Sequence, residues 1–146
     1  MVVSVLTLAS ACVEVLEFED EGVLAAFSEI PESDDGGWPC DDPNNNPHNF
    51  VEDGPLSVWI SSTSCLGDFD VLEGSCDVTL EGSTVQVHSF VKIRNRQDRT
   101  HDCPSHSVFC ESPPLPAGEY SFVFGSHERE FTVPSDDPAI CAVVDP

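Results

Sequence analysis

An alternation of apolar and polar residues begins near residue 55 and recurs through most of the remaining chain. In the segment 55–62, Leu56, Val58 and Ile60 fall on one face of an extended strand, and Trp59 falls among serines on the other. The same period of two recurs in four further segments, 76–82, 84–96, 119–125 and 128–134. Helical periodicity is not evident. The pattern therefore predicts a mainly β fold.

Turn residues separate these segments at the spacing typical of β-sandwiches. The sequence predicts an antiparallel, immunoglobulin-like sandwich of about seven strands, stapled by disulfides. Residues 13–29 mix short apolar runs with acids and are expected to add one or two edge strands. Residues 31–55 are rich in Pro, Gly, Asn and Asp, which predicts a long loop or tether. The predicted organisation is an N-terminal part (12–54) followed by a core sandwich with a C-terminal tail (55–146).

The first eleven residues have the composition of a cleaved export signal. They are apolar, too short to span a bilayer, and end in small residues before Cys12. We therefore expect residues 1–11 to be a signal peptide and the protein to be exported. Six cysteines remain after Cys12, an even number suited to disulfides in an oxidising compartment.

The pairing of those six cysteines is not determined by their positions alone. Closeness in sequence favours two short loops, one closed by Cys65 and Cys76 and the other by Cys103 and Cys110. That choice leaves Cys40 to pair with Cys141, which would tie the acidic loop to the C-terminal tail.

The leader resembles the lipobox of bacterial lipoproteins, in which the cysteine after a short small-residue motif is acylated. The resemblance implies lipidation of Cys12, a membrane anchor and, because Val13 follows, the outer membrane of a Gram-negative cell. Ala9 occupies the position where the family usually has Leu, and no cation precedes Lys92. Either a basic segment lies upstream of Met1, or Cys12 is an ordinary cysteine.

A second resemblance concerns the C-terminal half. The segment PLPAGEYSFVFG followed by EREFTVP resembles the closing hairpin of immunoglobulin-like or fibronectin-III-like domains in bacterial surface proteins. Over residues 60–141 the layout resembles uncharacterised cysteine-rich lipoproteins of Gram-negative bacteria. This likeness implies an architecture and carries no activity, since sandwiches have many unrelated functions.

Charge limits the partners of the chain. It has 27 acidic and 5 basic residues and a formal net charge of −22, which repels nucleic acid. The cations cluster on the predicted strand 84–96, where one face carries a candidate ligand surface for an anionic polysaccharide or an acidic envelope protein: His88, Phe90, Lys92, Arg94 and Arg96. The alternative, which we favour, is that these cations pair with acids of the same chain.

Two segments contain residue types that bind metals. The first offers soft and borderline ligands for zinc or copper, His101, Cys103, His106 and Cys110. Because exported cysteines are more often oxidised, we favour disulfides there. The second offers oxygen ligands for calcium, Asp42, Asn44, Asn46 and Asp53. A solvated acidic loop is the favoured interpretation, and no other cofactor is expected.

Catalytic motifs are not found in the sequence. Asp68, Asp70 and Glu73 lie close together between Cys65 and Cys76, but clustering of three acids is expected by chance at this composition. We therefore predict a non-catalytic, envelope-anchored structural or binding module. Its expected partners are the membrane, through the acyl anchor, and an envelope protein or polysaccharide. The alternative is a metal-dependent extracellular binding protein.

Overall fold

The computed structural model describes residues 15–28, 40, 50–61, 69–95, 106–137 and 139–145. In these ranges the chain forms β-strands and no helix, which confirms the mainly β prediction. The nine strands are β1 (Val15–Glu19), β2 (Gly22–Phe27), β3 (Ser57–Ser61), β4 (Phe69–Glu81), β5 (Thr84–Asn95), β6 (Ser107–Glu111), β7 (Gly118–Phe124), β8 (His127–Val133) and β9 (Ile140–Val144). The expected count of about seven is too low because two of these strands were not predicted. Strand β6 lies around Cys110, in a segment that was assigned to a disulfide loop, and β9 lies in the C-terminal tail.

The strands form two sheets. Sheet A is built around β5, which pairs with β4 along one edge and, along the other edge, with β7 and β1 placed end to end. Strand β8 continues the sheet beyond β7. Sheet B has the order β6-β3-β2-β9 and is antiparallel throughout.

The prediction of wholly antiparallel pairing is wrong for one pair of strands. Residues 84–87 of β5 run parallel to residues 121–124 of β7. The chain leaves sheet A after β5, contributes β6 to sheet B, and returns as β7 in the original direction. A parallel neighbour requires a crossover connection of this kind, whereas a hairpin always gives an antiparallel one.

A single apolar core is shared by the two sheets. The inward positions predicted from the alternation are buried or partly buried, and Val58, Val85 and Phe122 are each 0% exposed. Both sheets contribute to the cluster, through Leu24, Ala26, Val58, Ile60 and Ile140 from sheet B and Val78, Val85, Val87, Phe122, Phe124 and Phe131 from sheet A. For the alternating segments, from Val58 in β3 to Phe131 in β8, the period of two placed the core side chains on the correct face of each strand.

Strand β2 was expected at an edge but is an interior strand of sheet B, paired to β3 and β9. Both of its faces are covered. Leu24 and Ala26 enter the shared core, while Ala25 and Phe27 form a second cluster on the outer face with Ala139 and the Cys40–Cys141 disulfide. This double burial explains why the segment reads as a continuous apolar run and does not alternate.

Of the three predicted disulfides, Cys40–Cys141 is confirmed. The predicted pairs Cys65–Cys76 and Cys103–Cys110 are wrong, because Cys76 is bonded to Cys110 with 5.5 Å between their Cα atoms. Strand β4 at the edge of sheet A lies next to β6 at the edge of sheet B, so this bond joins the two sheets. Cys65 and Cys103 lie outside the described residues.

A tyrosine anchors the proline-rich corner before β7. The Tyr120 hydroxyl donates a hydrogen bond to the Pro116 carbonyl at 2.7 Å, and the Tyr120 ring stacks on Phe131 with centroids 5.5 Å apart. Leu115 at the same corner exchanges backbone hydrogen bonds with Asp53 and Gly54. The corner is thereby attached to the segment that leads into β3.

Candidate binding surfaces on the outer faces of the two sheets

The ligand face expected from the sequence lies on the outer face of sheet A. His88, Phe90, Lys92 and Arg94 alternate with buried or half-buried residues along β5 and point away from the core. Arg96 lies outside the described residues. The predicted residues that are described are thus brought onto one surface, as the alternation required.

Lys92 on this face is paired with acids of its own chain. Its ammonium lies 2.8 Å from the Glu17 carboxylate on β1, and Glu73 occupies the opposite position on β4. The hydrogen bond donated to Glu17, together with the charge of that carboxylate, raises the pKa of Lys92 above its usual value. Internal pairing, the interpretation we favoured from the sequence, is confirmed for Lys92.

A β-bulge sets this register. Val71 pairs with Ile93 and Glu73 pairs with Lys92, so Leu72 is an extra residue on β4. Past the bulge, Glu73 falls on the outer face opposite Lys92, and Val78 further along points into the core. A bulge on an edge strand also discourages pairing with other chains.

His88 and Arg94 also lie among carboxylates. The His88 Nδ1 atom is 3.4 Å from Asp20 Oδ2, and Asp77 is its cross-strand neighbour on β4. Arg94 is opposite Asp70 in the register of β4 and β5. This part of sheet A is therefore an arrangement of interleaved charges, and a site for an anionic ligand would have to compete with these acids.

Carboxylates dominate the outer face of sheet A as a whole. Its described strands carry two cations of the Lys and Arg type on that face, Lys92 and Arg94. The acidic side chains there are Glu17, Glu19, Asp70, Glu73, Asp77, Glu81, Glu119, Glu128 and Glu130. This surface favours solubility and repels anionic partners.

The outer face of sheet B has a different character. In its described strands the only carboxylate on that face is Glu111. Across the middle of the sheet runs a row of apolar side chains in register, Phe109, Trp59, Ala25 and Cys141. Beside this row Ser61 and Ser107 share a hydrogen bond between their hydroxyls at 2.7 Å. The two outer faces of the molecule are therefore acidic and apolar, respectively.

Three rings form what we call the aromatic patch: Phe27, Trp59 and Phe109. The Trp59 centroid is 6.2 Å from Phe27 and 6.0 Å from Phe109, and the last two rings meet at 83°. Phe27 is 1% exposed, whereas Trp59 and Phe109 are 37% and 55% exposed. Buried Phe27 supports Trp59 from one side, so the patch is an exposed apolar surface on a packed base.

Sequence reasoning did not single out this patch. Trp59 was assigned to the outer face of its strand but was grouped there with serines, and Phe109 lay in a segment examined for metal and disulfide chemistry. The signal in the sequence was weak, because a single apolar side chain on the solvent side of a strand is common and only a contiguous patch is informative. Phe109, the neighbour of Trp59, comes from a strand 50 residues away, and only the pairing of β3 with β6 joins them.

The candidate metal ligands are largely removed or lie outside the described residues. Cys110 is in a disulfide and has no thiolate to offer, while His101 and Cys103 are not described. The His106 Nε2 atom is buried beside Gly74 and has no hydrogen-bond partner among the described residues. In the described ranges no group of three or more His, Cys, Asp and Glu residues could hold a metal ion.

The calcium prediction remains a prediction. Asp53 is exposed, has a φ of 61°, and donates its backbone N–H to the Leu115 carbonyl. Asp42, Asn44 and Asn46 lie outside the described residues, as do Cys12 and the leader. Of the three clustered acids, Asp68 is not described, and Asp70 and Glu73 lie on β4 opposite Arg94 and Lys92.

Comparison with known proteins gives no match to a family model, a curated protein or a solved structure. In the described part of the chain, no helix has the length and hydrophobicity needed to cross a membrane.

Proposed function

We propose that this protein is a non-catalytic binding module of the bacterial cell envelope that holds a partner protein through the aromatic patch. The observation that carries the proposal is the exposure of Trp59 and Phe109 on the nearly uncharged face of sheet B, in a chain of net charge −22. Acids are abundant elsewhere on the described surface. Their scarcity on this face distinguishes it from the rest of the molecule.

The composition of this face is that of the centre of a protein interface. Such centres are enriched in aromatic residues and depleted of charge, and a few Trp and Tyr side chains often supply most of the binding energy. The serines beside the aromatic row provide a polar rim. Because Phe27 already packs against Trp59, less conformational entropy is lost when a partner covers the patch.

Ring geometry supports a protein partner over a polysaccharide. The planes of Trp59 and Phe109 meet at 83° and form a corner, which suits an inserted apolar side chain. A flat platform for stacked sugar rings would need rings that are closer to coplanar. A second copy of this chain is disfavoured as the occupant, because two molecules of charge −22 repel each other.

We propose an immunoglobulin-like relationship for the fold, and Tyr120 supports it. A tyrosine near the start of a late strand, with its hydroxyl bonded to the backbone a few residues upstream, is the tyrosine corner of those domains. The parallel pairing of β5 with β7 departs from their usual arrangement. So does the position of the Cys76–Cys110 bond, which joins edge strands.

Export and anchorage through acylated Cys12 are part of the proposal. Two disulfides among the described residues fit an oxidising compartment. Strand β1 begins at Val15, three residues after Cys12, so an acyl anchor would hold the first residue of β1 within about 10 Å of the bilayer surface. Mass spectrometry of the membrane-extracted protein, before and after reduction, tests the lipid and the disulfides together.

The partner is tested by photo-crosslinking in intact cells. A photoreactive residue at position 109 is expected to give one dominant protein adduct, and the same residue at Thr132 on the acidic face of sheet A is the matched control. With the crosslinked protein purified, Phe109→Ala or Trp59→Ala should weaken its binding by about 30-fold, as for an interface hot spot. Leu72→Ala, at another exposed apolar position, should not.

Adducts of equal yield at positions 109 and 132 would contradict the proposal. A second result would also contradict it: the protein binds cell-wall glycan, Phe109→Ala loses that binding, and no protein is captured. That result would assign the patch to a polysaccharide. Circular dichroism of each variant verifies that its fold is retained.

A further inference from the structure

A pocket lies between the segment that leads into β3 and the segment that follows β8. Its volume is about 400 Å³, and it is lined by Phe50, Val51, Glu52, Pro134, Ser135 and Asp136. Two backbone hydrogen bonds join its walls, from the Phe50 N–H to the Ser135 carbonyl at 2.9 Å and from the Ser135 N–H to the Phe50 carbonyl at 3.1 Å. The pocket is therefore preformed, as ligand sites usually are.

The walls combine apolar and negatively charged groups. Phe50 is 1% exposed and packs against Phe131 with ring centroids 5.1 Å apart, so it anchors the floor of the pocket to the core. Glu52 and Asp136 are exposed at the pocket. Neither carboxylate has a hydrogen-bond or ion-pair partner among the described residues, and none of the lining residues is a cation.

We propose that this pocket binds an alkylammonium or alkylguanidinium group. Glu52 and Asp136, which have no partner in the described part of the chain, can accept charge-assisted hydrogen bonds from the N–H donors of a cation. The accessible apolar surface of Val51 and Pro134 suits the methylene stem of such a group, which prefers apolar contact while its head is solvated. The negative field of the whole chain raises the local concentration of cations at the pocket.

An organic cation fits these walls better than a metal ion does. Calcium requires six to eight oxygen ligands and gains nothing from an apolar wall, and no group of three metal-binding side chains is present in the described residues. The cation can come from a free small amine or from a Lys or Arg side chain of another protein. This site shares no residue with the aromatic patch, so the inference does not depend on the proposed function.

Titration followed by amide NMR tests the site with n-butylammonium, arginine amide and a short lysine-containing peptide as probes. We expect saturable shifts at Phe50, Val51 and Ser135, and none with n-butanol, which lacks the charge. The double variant Glu52→Gln/Asp136→Asn should raise the Kd about fivefold. The matched control Glu128→Gln/Glu130→Gln removes the same charge from the outer face of sheet A and should change the Kd less than about twofold.

The outcomes separate a built site from general attraction to an acidic protein. Equal weakening in the two double variants, shifts that do not saturate, or shifts away from the pocket would overturn the proposal. Saturation by the small amines alone supports a free ligand, and saturation by the peptide supports a side chain of a partner. Both substituted positions in the pocket are exposed, and an unchanged spectrum elsewhere verifies that the variant is folded.

Discussion

Asp20 supplies hydrogen bonds to β5 at a position where no neighbouring strand pairs with it. Strand β1 pairs with β5 as far as Phe90, and β7 pairs with β5 as far as Val87. Ser89 lies between these two pairings and is 5% exposed. Asp20 supplies its partners, donating its own N–H to the Ser89 carbonyl at 3.0 Å and accepting the Ser89 N–H on Oδ1 at 2.8 Å. Nothing in the sequence distinguishes Asp20 from the other acids.

Substitution of Asp20 tests this role. Its φ is 51°, a conformation that Gly and Asn tolerate. Asp20→Gly keeps that backbone but leaves the buried Ser89 N–H without an acceptor, and should lower the free energy of unfolding by about 1–3 kcal/mol. Asp20→Asn keeps a carbonyl oxygen and should lose less. Urea unfolding compares them, and equal losses in the two variants would show that the acceptor is unimportant.

At the level of elements, the disulfides illustrate the limit of reasoning from closeness in sequence. Cys76 and Cys110 are 34 residues apart, yet they lie on edge strands of different sheets that meet across the core. Neither the pairing of β4 with β5 nor that of β3 with β6 can be read from the spacing of cysteines. The Cys40–Cys141 bond was predicted by elimination and agrees with the structure, although both local pairs were wrong.

Removal of the Cys76–Cys110 bond should loosen the junction of the two sheets. Without this cross-link the unfolded chain gains entropy, and Cys76→Ser/Cys110→Ser should lower the free energy of unfolding by about 2–4 kcal/mol. Hydrogen exchange should increase in the edge strand β6 before it does in the interior strand β2. The double variant Cys40→Ser/Cys141→Ser is the control, since it should first expose the outer face of β2.

Peptide mapping of the non-reduced protein checks the same junction directly. It should recover a disulfide-linked peptide that contains Cys76 and Cys110. A peptide linking Cys65 to Cys76 would contradict the arrangement of the edge strands described here.

On the scale of the whole molecule, charge is distributed unevenly over the two outer faces. The described strands place nine carboxylates on the outer face of sheet A and leave Glu111 on that of sheet B. The acids on sheet A are close enough to repel one another, and the pairing of Lys92 with Glu17 offsets a small part of that repulsion. The folded state therefore carries an electrostatic cost that salt should reduce.

We expect the melting temperature to rise as NaCl increases from about 20 to 150 mM, because screening weakens this repulsion. Millimolar Ca²⁺ at matched ionic strength should not raise the melting temperature further, because we expect a solvated acidic loop and no built calcium site. Calorimetry and limited proteolysis of residues 31–55 measure the two effects. A further rise in melting temperature with Ca²⁺, together with protection of that segment, would instead support the set of Asp42, Asn44, Asn46 and Asp53.

The candidate surfaces could be predicted to different degrees. Alternation along β5 placed His88, Phe90, Lys92 and Arg94 on one face correctly, because it depends on a single strand. It did not show that Glu17 and Glu73 would flank Lys92, since those acids come from other strands and a bulge sets their register. The aromatic patch and the pocket were missed for the same reason.

By itself the sequence determined the properties that depend on neighbouring residues: the β content, the inward face of each alternating strand and the net charge. A period of two follows from the geometry of a single strand, so it can be read locally. Only the tertiary structure decided which strands are neighbours. The interior place of β2, the parallel pairing of β5 with β7, the Cys76–Cys110 bond and the meeting of Trp59 with Phe109 all follow from that choice. Such contacts join residues far apart in the chain, and their stability comes from the burial of a core shared by both sheets.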